Sequence, residues 1–279
     1  MRGMAARDFK ELVSAKWDER KFLCIGLDSE FEKLPEHLKK HGPREGVSVF
    51  NAAIVEATKD IVCAYKPNSA FYEANGEDGL AALKATIAGI HAVAPDVPVI
   101  LDAKRADIGN TNSGYVVYAF EYLQADGLTV HPYMGGESLK EFLGCNNKGI
   151  FVQCRNSNPG ADEFQDLIVG DQPLYMHVAK AFADQWNHNN NCGLVVGATH
   201  PEEMKAIRAA APELPFLIPG IGSQGGALEA SVKAGRDARG GGMIISASRS
   251  VIFASSGNDF AEAAHKSAQE LHSAIQKVL

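Results

Sequence analysis

The chain has 279 residues, 46% apolar and 22% charged, with a formal net charge of −7. That length accommodates one large α/β barrel or two small domains, and the apolar fraction is ample for a core. The charge is spread thinly with no basic block, which argues against a nucleic-acid scaffold, although local lysines, arginines and backbone N–H groups can still take an anion.

The stretch 8–17 is expected to be an extra helix that closes the floor of the fold. Short apolar runs then recur at 22–27, 61–65, 97–101, 128–131, 150–154, 194–197, 216–221 and 243–246. Segments of helical period and helix-forming composition lie between and after them, at 50–59, 79–93, 113–124, 138–142, 174–186, 202–211, 227–234 and 260–278. Strands alternating with helices predict a parallel sheet with right-handed crossovers. Eight such units predict a closed (β/α)8 TIM barrel, α/β in class, formed by residues 1–279 as one domain without linker or repeat. The cysteines at 24, 63, 145, 154 and 192 show no C-x-x-C spacing, so they are expected as reduced thiols in a cytoplasmic protein. The first residues lack a signal-type apolar stretch, and no run approaches membrane length.

A barrel gathers its active site at the C-terminal ends of its strands. Those ends carry Asp28, Lys66, Asp102 with Lys104, His131, Ser157, Thr199, the loop 219–226 and Arg249. The densest is Asp102-Ala-Lys-Arg-Ala-Asp107, where acid, base and acid follow a core strand. Side chains two apart share a strand face, so Asp102 and Lys104 should meet, with Asp107 just past the strand end. A lone Asp-x-Lys is ordinarily a surface ion pair; the other charged strand ends favour a site. The glycine-rich loop from Pro219 to Gly226 and the Ser248-Arg249 pair follow the last two strands, where barrels bind phosphate. Thr199-His-Pro-Glu202 reads as a helix capping box with Pro just inside the helix. His177 and His188 fall in a helical segment, and Trp17, Tyr65, Tyr72 and Trp186 are taken as packing residues. No His, Asp or Glu cluster has metal-ligand spacing.

The string Asp102-x-Lys104-x-x-Asp107-Ile108-x-x-Thr111-Asn112 resembles the signature of the orotidine 5′-monophosphate decarboxylase family. Gly26-Leu-Asp28, Tyr65-Lys66-Pro-Asn68, Asn156-Ser-Asn-Pro-Gly-Ala161, the 219–226 loop and Ser248-Arg249 match it in order, over roughly 22–253. Lys66-Pro-Asn68 and a long insertion at 162–173 resemble the longer bacterial (type 2) subgroup, with Ala106 standing where that subgroup carries Gly. The resemblance implies decarboxylation of orotidine 5′-monophosphate to uridine 5′-monophosphate, a step of pyrimidine biosynthesis, with no metal and no cofactor. It implies Lys104 as proton donor to C6, Asp102 beside the departing carboxylate, and Asp107, Ile108 and Thr111 reaching in from the second subunit of a homodimer. It further implies Asp28 and Lys66 at the ribose, and Ser157 at the pyrimidine. It implies Gln224, the N–H groups of the 219–226 loop and Arg249 at the 5′-phosphate, with Pro219, Gly225 and Ser248 also among the substrate-binding residues. Two other readings stand beside it: a sugar-phosphate enzyme such as hexulose-6-phosphate synthase, which holds Mg²⁺ with the same carboxylates, and an inactive phosphoribosyl-ligand binder.

Overall fold

The computed structural model describes residues 7–221 and 225–279. Eight parallel strands form one sheet: β1 (Leu23–Gly26), β2 (Ala64–Lys66), β3 (Ile100–Arg105), β4 (Gly127–Val130), β5 (Gly149–Arg155), β6 (Cys192–Val196), β7 (Phe216–Pro219) and β8 (Met243–Ala247). Each strand pairs with its sequence neighbour, β1 pairs with β8, and the bridges Tyr65 to Val99 and Asn68 to Asp102 join β2 to β3, so the sheet closes into the expected (β/α)8 barrel. The helices between strands form the outer layer, the longest being Gly42–Thr58, Gly76–Val93 and Phe260–Val278.

The strands form where they do because both faces are buried, which selects near-continuous apolar runs. Outward-facing Leu23, Ile25, Leu128, Ile150, Leu194, Phe216 and Ile245 pack with the helices. Inward-facing Cys24, Ala64, Ile100, Phe151, Val195, Leu217 and Ile244 fill the barrel. The Phe9–Asp18 helix, N-capped by Asp8 through the Glu11 N–H, inserts Phe9 and Val13 into this filling from below. Phe9 meets Phe151 edge to face, and a Cβ on Gly149 would stand 2.5 Å from the Phe9 ring, so the plug needs glycine there.

Several boundaries differ from the sequence expectation. The third strand is Ile100–Arg105 rather than 97–101, because Asp102 and Lys104 pair with each other and can stay within the sheet. The helix expected at 50–59 begins at Gly42, since Pro43 in its first turn starts it early. The helices expected at 113–124 and 174–186 each end in a wider π-type turn, Val117–Tyr122 and Phe182–Trp186, which leaves His188 beyond the helix. The capping box at Thr199 does not form: His200 is the N-cap of Pro201–Ala210, without a side-chain cap bond. Four of the five cysteines are buried and Cys145 is partly so, all as free thiols. Among the described residues no helix is long and apolar enough to cross a membrane.

Candidate active site

Two residues beyond the apolar filling, the same strands turn Gly26, Lys66, Asp102, Gln153, Gly197, Pro219 and Ser246 inward. The upper layer of the barrel is therefore polar where the lower is hydrocarbon. A cleft of about 270 Å³ opens on it, lined among others by Lys66, Asp102, Lys104, Thr129, Gln153, Ser157 and Pro219.

Asp102 is the hub. Its Oδ1 accepts from Lys104 Nζ at 2.6 Å and from the Thr129 hydroxyl at 2.8 Å. Its Oδ2 accepts from Lys66 Nζ at 3.1 Å and from Asn68 Nδ2 at 3.2 Å. Lys66 Nζ also lies 3.7 Å from Asp28 Oδ1. Burial alone would raise the Asp102 carboxyl, but the Lys66 and Lys104 charges outweigh it and hold the group well below the ordinary carboxylate value. Burial likewise opposes the Lys66 ammonium, and the charges of Asp102 and Asp28 reverse the balance and raise it. The two lysines differ in access: Lys66 is 5% exposed, whereas the Lys104 side chain retains 41% of its surface. One cation is thus locked and the other faces the cleft. Both oxygens of Asp102 are engaged by two donors each. Among the described residues no group of three His, Cys, Asp or Glu is placed to hold a metal ion.

Lys104 occupies the left-handed region at φ +47°, and the pairing of β3 with β4 shifts register between Leu101 and Arg105. Asp102 and Lys104 nonetheless meet and line the same cleft, as their spacing predicts.

The sequence profile of the orotidine 5′-phosphate decarboxylase / HUMPS family matches residues 21–266. The chain belongs to that family. Relatives named orotidine 5′-phosphate decarboxylase include one from Azoarcus sp., 49% identical over 269 residues that cover 96% of this chain and 98% of the relative. Another, from Herpetosiphon aurantiacus, is 51% identical over 257 residues, 92% of this chain and 93% of the relative. Among solved structures, Leishmania donovani OMP decarboxylase has a TM-score of 0.83 at 38% identity, covering 96% of this chain and 99% of that one.

The remaining family-signature residues divide by position. Ser157 faces the cleft, and its Oγ is buried with no hydrogen-bond partner among the described residues, as is Asp28 Oδ1. A Cβ at Gly197 would fall 1.9 Å from Ser157 Oγ, so the position just past β6 must be glycine for that hydroxyl to sit there. Pro219 and Gly220 line the far wall, Gly220 at φ +92°. Ser248 donates to the Gly26 carbonyl at 3.0 Å, and Arg249 is exposed at the head of the Arg249–Ile252 turn. Gly225 begins the Gly225–Gly235 helix, and Gln224 lies outside the described residues.

Asp107, Ile108 and Thr111 do not join the cleft of their own chain. Their loop is stapled by buried Asn112, which accepts the Asp107 N–H at 2.9 Å and donates to the carbonyls of Asp107 at 2.7 Å and Ser138 at 2.6 Å. Ile108 is left 56% exposed, and Thr111 is exposed as well. His131 borders a larger hollow beside the cleft; partial burial and then the Lys104 charge hold its imidazole below the usual value.

Sequence reading missed Thr129, Asn68 and Gln153 as site residues. Each carried a signal: a polar side chain at an inward position of an otherwise apolar strand, or just past its end, where hydrocarbon would serve a merely structural role.

Proposed function

We propose that Lys104 is the proton donor in a decarboxylation driven by the fixed charges of the upper barrel layer. The activity is that of an orotidine 5′-phosphate decarboxylase, a carboxy-lyase of pyrimidine biosynthesis yielding uridine 5′-monophosphate and CO2. In the proposed route the bond from C6 to the carboxylate breaks, CO2 departs, and the electron pair remains on C6. The Lys104 ammonium stabilises that developing charge, transfers a proton from Nζ to C6, and regains one from solvent. Asp102 holds the ammonium in place and, lying beside the substrate carboxylate, disfavours the ground state. Asp28 and Lys66 contact the ribose hydroxyls and Ser157 the pyrimidine. Pro219, Gln224, Gly225, Ser248 and Arg249 receive the 5′-phosphate, far enough from C6 for its binding energy to position the ring.

The observation that carries this reading is the array of Lys66, Asp102 and Lys104 on the cleft floor, with its one accessible cation at Lys104. The proposal extends to a cytoplasmic homodimer of one-domain barrels with shared sites, Asp107, Ile108 and Thr111 entering the partner's cleft. Its support is the exposed Asp107 loop on the same rim as exposed Tyr133, Met134, Phe164 and Ile168, an apolar set of the kind that marks association surfaces.

Two experiments test it. Purified protein with EDTA should consume orotidine 5′-monophosphate, read by absorbance; activity that depends on added Mg²⁺ would favour the sugar-phosphate branch instead. Mixing Lys104→Ala with Asp107→Ala under subunit exchange should restore activity, because one hybrid site is then complete. No recovery despite verified exchange would assign each site to a single chain.

A further inference from the structure

We propose that Thr129 is a positioning residue for Lys104, its hydroxyl tying the lysine's backbone to the carboxylate that holds the lysine's ammonium. The inference rests on the reading of Lys104 as proton donor. Thr129 is 1% exposed and faces inward from β4. Its Oγ1 accepts the Lys104 backbone N–H at 2.9 Å and donates to Asp102 Oδ1 at 2.8 Å. The same Oδ1 accepts Lys104 Nζ at 2.6 Å. One hydroxyl thus closes a ring through both ends of one residue, and the ring needs an atom that accepts and donates at once.

The backbone explains why such a ring is useful. Where β3 shifts its register against β4, Lys104 sits at φ +47°, a conformation a long side chain keeps only when its surroundings hold it. Its N–H is taken by the Thr129 hydroxyl instead of a strand carbonyl. Without that hydroxyl the N–H and Asp102 Oδ1 each lose a partner in a buried place, and residue 104 is free to relax towards extended backbone. The ammonium then leaves the position from which it would reach C6. Lys66 and Asn68 hold the other oxygen of Asp102 and are untouched, so ground-state binding should survive.

The test compares Thr129→Val, which keeps the shape and loses the hydroxyl, with Thr129→Ser, which keeps the hydroxyl. The kcat of Thr129→Val should fall about 10- to 100-fold, the scale of losing a hydrogen bond to a charged group, while KM and the affinity for uridine 5′-monophosphate stay near wild type. Thr129→Ser should recover most of the rate. If Thr129→Val does not fold, Thr129→Ala against Thr129→Ser gives the same contrast. Adding Thr129→Val to Lys104→Ala should cost nothing further, since the hydroxyl acts through that lysine. An unchanged kcat in Thr129→Val, or a Thr129→Ser as slow as it, would overturn the proposal. With Lys104→Ala inactive, such a result removes only the positioning role; a fully active Lys104→Ala removes the proton-donor reading and this inference with it.

Discussion

Among the described residues two aspartates are buried, one towards each end of the barrel, and cations pair with both. Asp126, one residue before β4 and near the floor, is fully buried; Arg7 grips both its oxygens at 2.8 and 2.9 Å, with His91 at 3.3 Å and the Val99 N–H at 2.9 Å. Burial alone would raise its carboxyl, but the bonds from His91 and Arg7 outweigh this and bring it down to about 2. Asp102, at the upper end, is also held low, by Lys66 and Lys104. The electrostatics are alike, so a perturbed carboxylate does not by itself mark a site. The difference lies in the partners. The Arg7 fork closes on Asp126 with 17% of its side chain exposed, whereas Lys104 keeps 41% and faces a cleft. An ion pair with a cation left accessible can do chemistry; a sealed one contributes stability.

That contrast can be broken from either end. Lys104→Ala should reduce kcat by about 10²- to 10⁴-fold, the range for a lost general acid, and lower the urea midpoint less than Asp126→Ala does, because Lys66 still pairs with Asp102. A near-normal rate would remove Lys104 from the chemistry. Asp126→Ala should do the converse, costing about 3 kcal/mol of stability, the lower end for breaking a buried pair, with kcat of the folded protein intact. A large loss of kcat at full stability would show that the floor communicates with the cleft.

The pH dependence of folding sharpens the same point. Asp126 titrates lower folded than unfolded, so its contribution is present above the ordinary carboxylate value and is lost as pH falls towards about 2. Asp102 adds a contribution of the same sign. Acid denaturation of Asp126→Asn should therefore have a shallower slope than wild type, and an unchanged slope would mean that Asp126 carries no linkage.

Arg249→Ala should lower kcat/KM by a factor equivalent to about 2–3 kcal/mol, the scale of a charge-assisted contact. Orotidine without its phosphate should react poorly with wild type and no worse with the variant. Equal losses on both substrates would show that Arg249 is not the phosphate handle.

The sequence by itself determined the barrel and the rim. Eight apolar runs spaced by helical segments leave few topologies, because both faces of a parallel sheet must be buried. Charges placed directly after those runs can only emerge at the strand ends, which is why Asp28, Lys66, Asp102 and Lys104 were legible. Tertiary structure alone decided how these groups share their charge. The left-handed turn at Lys104 follows from a register shift between two strands, and register is a property of the pair that neither strand encodes alone. Thr129 likewise gains its meaning only when β4 is laid against β3, since a hydroxyl's role is set by what stands within reach of it.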